Sequence, residues 1–307
     1  MYENLKKEVE EIIKEDQILC AESLAKHTTF RIGGPADLFL QPQNEKEITK
    51  LVRFCREKEV PFYIMGNGSN ILASDKGYTG IILHIGKNMS SVKFTEKDKD
   101  TVLVTAEAGI MLIKLAREAA NQSLTGLEFA GGIPGTLGGA ITMNAGAYGG
   151  EIKDCIVWAK VVTKEGNVMV LNREELALGY RSSIIQKEGW IVTEAQFALT
   201  RGNKTEIVKT MDELQKKRKE KQPLEYSSAG STFKSPEGFF AGKLIEDAGL
   251  RGYRVGDIMV SDKHCGFVVN VGKGTAEEVH MLMEHVEQTV YEKFGVTLEP
   301  EVRFLGG

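Results

Sequence analysis

The sequence predicts an α+β protein of about two or three domains. Three observations carry that reading. Short apolar strand patterns alternate with segments of helical periodicity along the 307 residues. A glycine-dense, almost uncharged stretch at 128–149 interrupts them. A heavily charged helical segment at 205–222, long enough to bridge domains, then leads into a further set of helices and strands.

Residues 3–15 put Leu5, Val9, Ile12 and Ile13 on one stripe, which predicts a helix. Residues 28–40 read as a strand, a Gly-Gly-Pro turn and a second strand. An amphipathic helix follows at 45–59, with Ile48, Leu51, Val52 and Cys55 facing inward. Strands at 60–65 and 80–85 complete a first α/β domain, residues 1–86. Strands at 92–94 and 101–106 flank the charged turn 96–100, and a helix at 108–121 presents Leu112, Leu115, Ala116 and Ala119. Beyond the glycine stretch, strands at 156–163 and 168–171 flank a polar turn. A second turn covers 176–183 and a strand covers 190–199. Together these predict a second, α+β domain over 87–204. The third domain, 205–307, holds the charged helix, a glycine-stopped helix at 241–249 and a strand at 264–270. It ends with a helix at 275–294, whose first turn carries Glu277 and Glu278, and a strand at 296–304.

The chain is 42% apolar and 27% charged, as in soluble globular proteins. Its net charge of −4 gives no general attraction to nucleic acid or anionic membrane, although basic residues cluster at 216–221. Cys20, Cys55, Cys155 and Cys265 have neither zinc-site nor CxxC spacing and read as reduced thiols of a cytosolic protein. The N-terminus lacks an apolar signal-peptide core, and no run approaches about 18 apolar residues. A cytoplasmic protein is expected. The histidines form no metal set. His280 and His285, five apart on one helix, are expected to be ordinary surface residues.

Eight glycines lie between Gly131 and Gly150. Glycine costs backbone entropy, so this density calls for positive φ angles or for a flat partner lying on the backbone. Such loops also form nests of N–H groups for phosphate oxygens. A flexible linker is the alternative, but Ile133, Leu137, Ile141 and Met143 speak against it. A second turn, Gly66-Asn-Gly-Ser-Asn-Ile-Leu72, reads either as an anion-holding turn or as a plain surface turn. It is not the dinucleotide fingerprint, because Ile71 takes the last glycine position. Gly242-Lys243 precedes Leu244 and Gly272-Lys273 precedes Gly274, so neither is a Walker A loop. There is no HExxH and no GxSxG, and Ser231 has no local histidine base. Arg218 and Lys221 suit either an anionic ligand or simply a helix C-terminus. Taken alone, Arg181 reads as a partner in an ion pair and Glu301 as a solvated strand end.

Seven motifs in order change that balance. They are Thr29-Phe-Arg-Ile-Gly-Gly-Pro-Ala36, Gly66-Asn-Gly-Ser-Asn-Ile-Leu72, Gly132-Ile-Pro-Gly-Thr-Leu-Gly-Gly-Ala140, Asn144-Ala-Gly-Ala-Tyr-Gly149, Gly179-Tyr-Arg181, Ala229-Gly-Ser-Thr-Phe-Lys234 and Leu298-Glu-Pro-Glu-Val-Arg303. Over nearly the whole chain they resemble the UDP-N-acetylenolpyruvoylglucosamine reductase family, flavoenzymes of peptidoglycan precursor synthesis. The resemblance implies a two-part FAD-binding module of the vanillyl-alcohol-oxidase-like type, plus a separate α+β substrate-binding domain. With no tyrosine between Tyr180 and Tyr226, the chain resembles the family's shorter form, which lacks a tyrosine-bearing segment.

Carried over by motif, the implied catalytic set is Arg181, Ser231 and Glu301. The implied flavin wall comprises Gly66, Asn67, Gly68, Ser69, Asn70 and Ile71, with Gly131, Gly132, Ile133, Gly135, Thr136, Gly139, Ala140, Asn144, Ala145 and Gly146. Tyr180, Arg218, Lys221 and Lys234 are the implied substrate contacts. The resemblance implies non-covalent FAD, NADPH as co-substrate and a UDP-sugar enolpyruvyl ether as substrate. The sequence gives no metal site and does not fix the oligomeric state, with a monomer favoured. Two positions depart from the pattern: Ser235 stands where the longer form has asparagine, and Cys265 stands where alanine is expected. The competing readings are a hydroxy-acid oxidase of a related flavin fold and a non-catalytic nucleotide-sugar binding protein. The first is disfavoured by the missing histidine pair.

Overall fold

The computed structural model describes residues 2–306, so Met1 and Gly307, the ends of the N- and C-terminal readings, lie outside the described residues. The chain divides into two compact units. The first comprises residues 2–20, Leu38–Asn67 and Gly80–Lys217; the second comprises Ala21–Asp37, Gly68–Thr79 and residues 218–306.

In the first unit, the helix Glu45–Glu57 starts where Asn44 Oδ1 accepts the Glu47 N–H at 3.0 Å. It buries Ile48, Leu51, Val52 and Cys55. A four-stranded sheet runs in the order Ile18–Ser23, Pro35–Leu40, Tyr78–His84, Phe62–Met65, and its last two strands are parallel. A larger antiparallel sheet runs in the order Val168–Asn172, Ile156–Val162, Ile191–Arg201, Thr101–Glu107, Val92–Glu96. Its central strand, Ile191–Arg201, buries Thr193, Ala195, Phe197 and Leu199 at every second position, the period that a half-covered strand requires. The helix Leu112–Asn121 adds Leu112, Leu115, Ala116 and Ala119 to a core that also contains residues of both sheets.

The expected helix at 3–15 stops early, as Tyr2–Val9. The reason is Gln17, a buried polar residue. Its Oε1 accepts the Lys14 N–H at 2.9 Å, and its Nε2 donates to Gln41 O at 3.0 Å and to Glu47 Oε2 at 2.8 Å. Those bonds bend the chain into a 3-10 turn, Glu15–Gln17, before the first strand. The glycine stretch is not a plain loop. It contains a 3-10 turn at Glu128–Gly132 and a short helix at Leu137–Thr142. Glu128 sets the first of these by accepting from Thr125 Oγ1 at 2.6 Å and from the Gly126 N–H at 2.8 Å.

The second unit is built on the helices Ala241–Asp247 and Ala276–Phe294. A small antiparallel sheet, Arg254–Val255, Ile258–Val260 and Val268–Asn270, packs with them around Leu244, Ile245, Val279, Leu282 and Val286. A parallel pair, Ile71–Ala73 with Arg303–Leu305, joins an early segment to the end of the chain. Three expected strands differ. The segment 28–32 is a turn, because Thr28 Oγ1 donates to Ile32 O at 3.0 Å and Arg31 has φ +58°. The strand expected over 264–270 begins only at Val268, because His264 Nδ1 accepts the Gly266 N–H at 3.1 Å and turns the chain. The terminal strand shortens to Arg303–Leu305. Pro300, which has no N–H to donate, makes only an isolated bridge to Phe233. His280 and His285 are more than bare surface residues: His285 stacks on Tyr253 at 4.3 Å and His280 meets the Phe304 ring at 4.6 Å.

Candidate active site

Within the first unit, Gly66 and Asn67 of the first glycine turn meet the second glycine loop. Asn67 Nδ2 donates to Pro134 O at 2.6 Å. A Cβ on Gly66 would stand 2.2 Å from Thr136 Oγ1, so only glycine permits this approach. Thr136 is buried and pairs with Met111 in an isolated bridge, while the Leu137 N–H donates to Ile110 O at 2.8 Å. The second loop is thereby fixed to the start of the Leu112–Asn121 helix. Gly131, Gly132, Ile133 and Gly135 stay half-buried above it, and Gly139 is exposed at the short helix. Side-chain-free backbone, held in place from behind, suits a flat ligand better than it suits a linker.

The glycine stretch also holds Arg181. Asn144 is 1% exposed and adopts φ +44°, a left-handed angle that asparagine tolerates. Its Nδ2 donates to Glu151 Oε2 at 2.6 Å and to Gly179 O at 3.0 Å, and its Oδ1 accepts the Lys153 N–H at 3.0 Å. Gly179 and Ser182 pair across a two-residue turn with Tyr180 and Arg181 at its tip. Arg181 has φ +51°, at the turn position where glycine or asparagine is usual. Its guanidinium carbon lies 5.4 Å from the ring centroid of Tyr180, which is 61% exposed. Ser183 closes the turn: its Oγ donates to Thr142 O at 2.5 Å and accepts the Gln186 N–H at 3.1 Å, capping the helix Ile184–Glu188.

The second unit gathers Asn70, Ser231 and Glu301. The segments around Ser231 and Glu301 run side by side: the Glu301 N–H donates to Thr232 O at 2.8 Å and the Lys234 N–H to Glu299 O at 2.9 Å. Asn70 Nδ2 donates to Glu301 O at 3.0 Å, and the Arg303 N–H donates back to Asn70 O at 2.9 Å. Thr232, which motif reading passed over, is the anchor. It is 1% exposed, and its Oγ1 accepts the Val268 N–H at 2.9 Å. Its place inside the motif Ala229–Lys234, next to Ser231, is the sequence signal for it. Ser231 is half-buried beside it.

The basic residues divide by partner. Lys234 Nζ pairs with Glu299 Oε2 at 3.0 Å. Lys221 is exposed at the end of the helix Lys204–Lys221, with Arg218 one turn earlier. Lys263 Nζ donates to Lys219 O at 2.7 Å and so satisfies part of that helix end. Burial pushes the Cys265 thiol up and holds the His264 imidazole below its ordinary value. All four cysteines are free thiols. Among the described residues no helix is long and apolar enough to cross a membrane.

Residues 36–172 match the family profile described as an FAD binding domain. That range contains both glycine loops, and the Gly66–Thr136 approach and the Asn67–Pro134 bond fit the seat of such a group. Residues 222–305 match the profile of the UDP-N-acetylenolpyruvoylglucosamine reductase C-terminal domain. A UDP-N-acetylenolpyruvoylglucosamine reductase of Lachnoclostridium phytofermentans is 55% identical, over 97% of this chain and 96% of that protein. The crystal structure of the Thermus caldophilus UDP-N-acetylenolpyruvylglucosamine reductase superposes with a TM-score of 0.78 at 35% identity. It covers 94% of this chain and 98% of that one. An alkyldihydroxyacetonephosphate synthase structure shares the fold alone, with a TM-score of 0.51 at 21% identity over 66% of this chain and 41% of that one. The expected fold class therefore holds: an FAD-binding module of the vanillyl-alcohol-oxidase-like type with a separate C-terminal α+β domain. On sequence, profile and fold together, this chain belongs to the UDP-N-acetylenolpyruvoylglucosamine reductase family.

Proposed function

We propose that this protein reduces UDP-N-acetylglucosamine enolpyruvate to UDP-N-acetylmuramate in the cytoplasm, with NADPH as electron source, as a step in peptidoglycan precursor synthesis. It is a member of the family's shorter form. Residues 1–86 and 87–204 are its two FAD-holding parts and 205–307 its substrate-binding part. The observation that carries this reading is the backbone pairing that sets Ser231 and Glu301 side by side, with Asn70 of the first glycine turn bonded to Glu301.

FAD held there would supply hydride chemistry, with NADPH as electron source and the vinyl carbon of the substrate as acceptor. The glycine walls at 66–71 and 131–140, continued by the backbone alone of 144–146, keep side chains out of the flavin's way. The Arg181 guanidinium forks onto the substrate carboxylate and counters the negative charge that builds next to it as hydride arrives. The Ser231 Oγ–H donates a proton to the adjacent, carbanion-like carbon. Serine is a weak acid, so it serves only as a positioned donor to a strongly basic centre. Glu301, on the segment paired with Thr232 next to that serine, orients the donor. Tyr180, Arg218, Lys221 and Lys234 bind the nucleotide diphosphate and sugar.

The test is a spectrum of the pure protein followed by two anaerobic additions. A yellow protein is expected to bleach with NADPH and recolour with the enolpyruvyl sugar nucleotide. Ser231→Ala is expected to slow recolouring about 10²–10⁴-fold and leave bleaching intact. A colourless protein that still reduced the sugar nucleotide would refute the reading.

A further inference from the structure

We propose that Asn144 is a positioning residue for Arg181, rather than a side-chain contact of the flavin. This rests on the role given above to Arg181. The amide of Asn144 is buried and has committed partners: Glu151 and Gly179 O as acceptors, the Lys153 N–H as donor. Of these, Gly179 opens the two-residue turn whose tip is Arg181. An arginine at φ +51° is held in a strained backbone state, which persists only where neighbours over-determine it. Two bonds do this. Asn144 Nδ2 grips the entry of the turn at Gly179 O, and Ser183 Oγ grips its exit at Thr142 O. Both anchors lie at the end of the same helix, Leu137–Thr142, inside the glycine stretch. The element that shapes the flavin wall thus also aims the guanidinium, and Asn144 is the joint between the two tasks.

Asn144→Gly tests the joint cleanly, because glycine keeps φ +44° without strain and removes only the amide. The flavin content and the NADPH bleaching rate are expected to stay within about twofold of the parent. Recolouring by the enolpyruvyl sugar nucleotide should slow about 10- to 100-fold, the cost of a misplaced catalytic group. In an Arg181→Ala background the same change should slow it no further, since both act through one group. Independently of turnover, deuterium uptake by residues 176–184 should accelerate in Asn144→Gly while the strand Ile191–Arg201 stays protected. Ser183→Ala, which frees the other end of the turn, should give the same pattern. An equal slowing with and without the Arg181 side chain, unchanged exchange at 176–184, or a defect confined to flavin retention would overturn the positioning role. Full-rate recolouring in Arg181→Ala alone would instead overturn the role of Arg181 itself, and this inference with it.

Discussion

Gly66 carries a hydrogen where any other residue would carry a carbon 2.2 Å from Thr136 Oγ1. Gly66→Ala is therefore expected to cost about 1–3 kcal/mol and to release flavin. Thr136→Ala in the same chain should restore most of both, as read by urea unfolding and by the flavin-to-protein absorbance ratio. The glycine density marked this loop from the sequence, but not the threonine that makes the glycine obligatory, because the two are seventy positions apart. His264 carries a pH prediction. Burial holds its imidazole below the ordinary 6.5, so between the folded value and 6.5 the unfolded chain binds more protons than the folded one. Stability is then undiminished above 6.5 and falls as pH drops below it. Protonation at Nδ1 would also remove the acceptor of the Gly266 N–H, a bond of about 1 kcal/mol. His264→Gln is expected to flatten the fall in unfolding midpoint between about pH 7.5 and about pH 5.5. An unaltered slope would show that other groups set it. Thiol reactivity follows burial. Burial pushes Cys55 and Cys155 up to about 12 and raises Cys265, while Cys20 is exposed. A disulfide reagent should titrate Cys20 alone in the folded protein and all four cysteines after unfolding.

At the scale of the element, the helix Ala276–Phe294 shows how much of a helix start is local and how much is not. Thr275 Oγ1 accepts the Glu278 N–H at 3.1 Å and Glu278 Oε2 accepts the Thr275 N–H at 3.1 Å, a capping box visible in the sequence three residues apart. The next two N–H groups, of Ala276 and Glu277, donate to the carboxylate of Asp75 at 3.0 and 3.2 Å, and no local pattern reveals that. Thr275→Ala is expected to cost about 1 kcal/mol. Asp75→Ala should cost about 1.5–3 kcal/mol, because its bonds are charge-assisted. Chemical denaturation of both variants and the pair decides the order, and an Asp75 loss smaller than that of Thr275 would reverse it. The strands were legible where alternation was strict, as in Ile191–Arg201. They were misjudged at 28–32 and 264–267, where a side chain satisfies the backbone locally: Thr28 in one case, His264 in the other.

At the scale of the whole molecule, the chain passes between its two units at Cys20, Asp37, Asn67, Thr79 and Lys217. The core of the second unit takes Phe30, Ile32 and Leu72 from early segments, and the strand Arg303–Leu305 takes its partner from Ile71–Ala73. Residues 218–307 expressed alone are expected to show no cooperative thermal transition, while the full chain does. A sharp, fully reversible transition in that fragment would mean those early segments are dispensable.

The sequence by itself determined the element types, the glycine-lined backbone and the identity of Arg181, Ser231 and Glu301 as residues of interest. Propensity, periodicity and motif order are properties of neighbours along the chain. Only the tertiary structure decided that Asn67 bonds to Pro134, that Asn144 holds the arginine turn, and that Asn70 and Thr232 bracket Glu301. Each of these is a hydrogen bond between residues far apart in sequence. Its partner is chosen by which buried polar group must be satisfied once the apolar faces have closed.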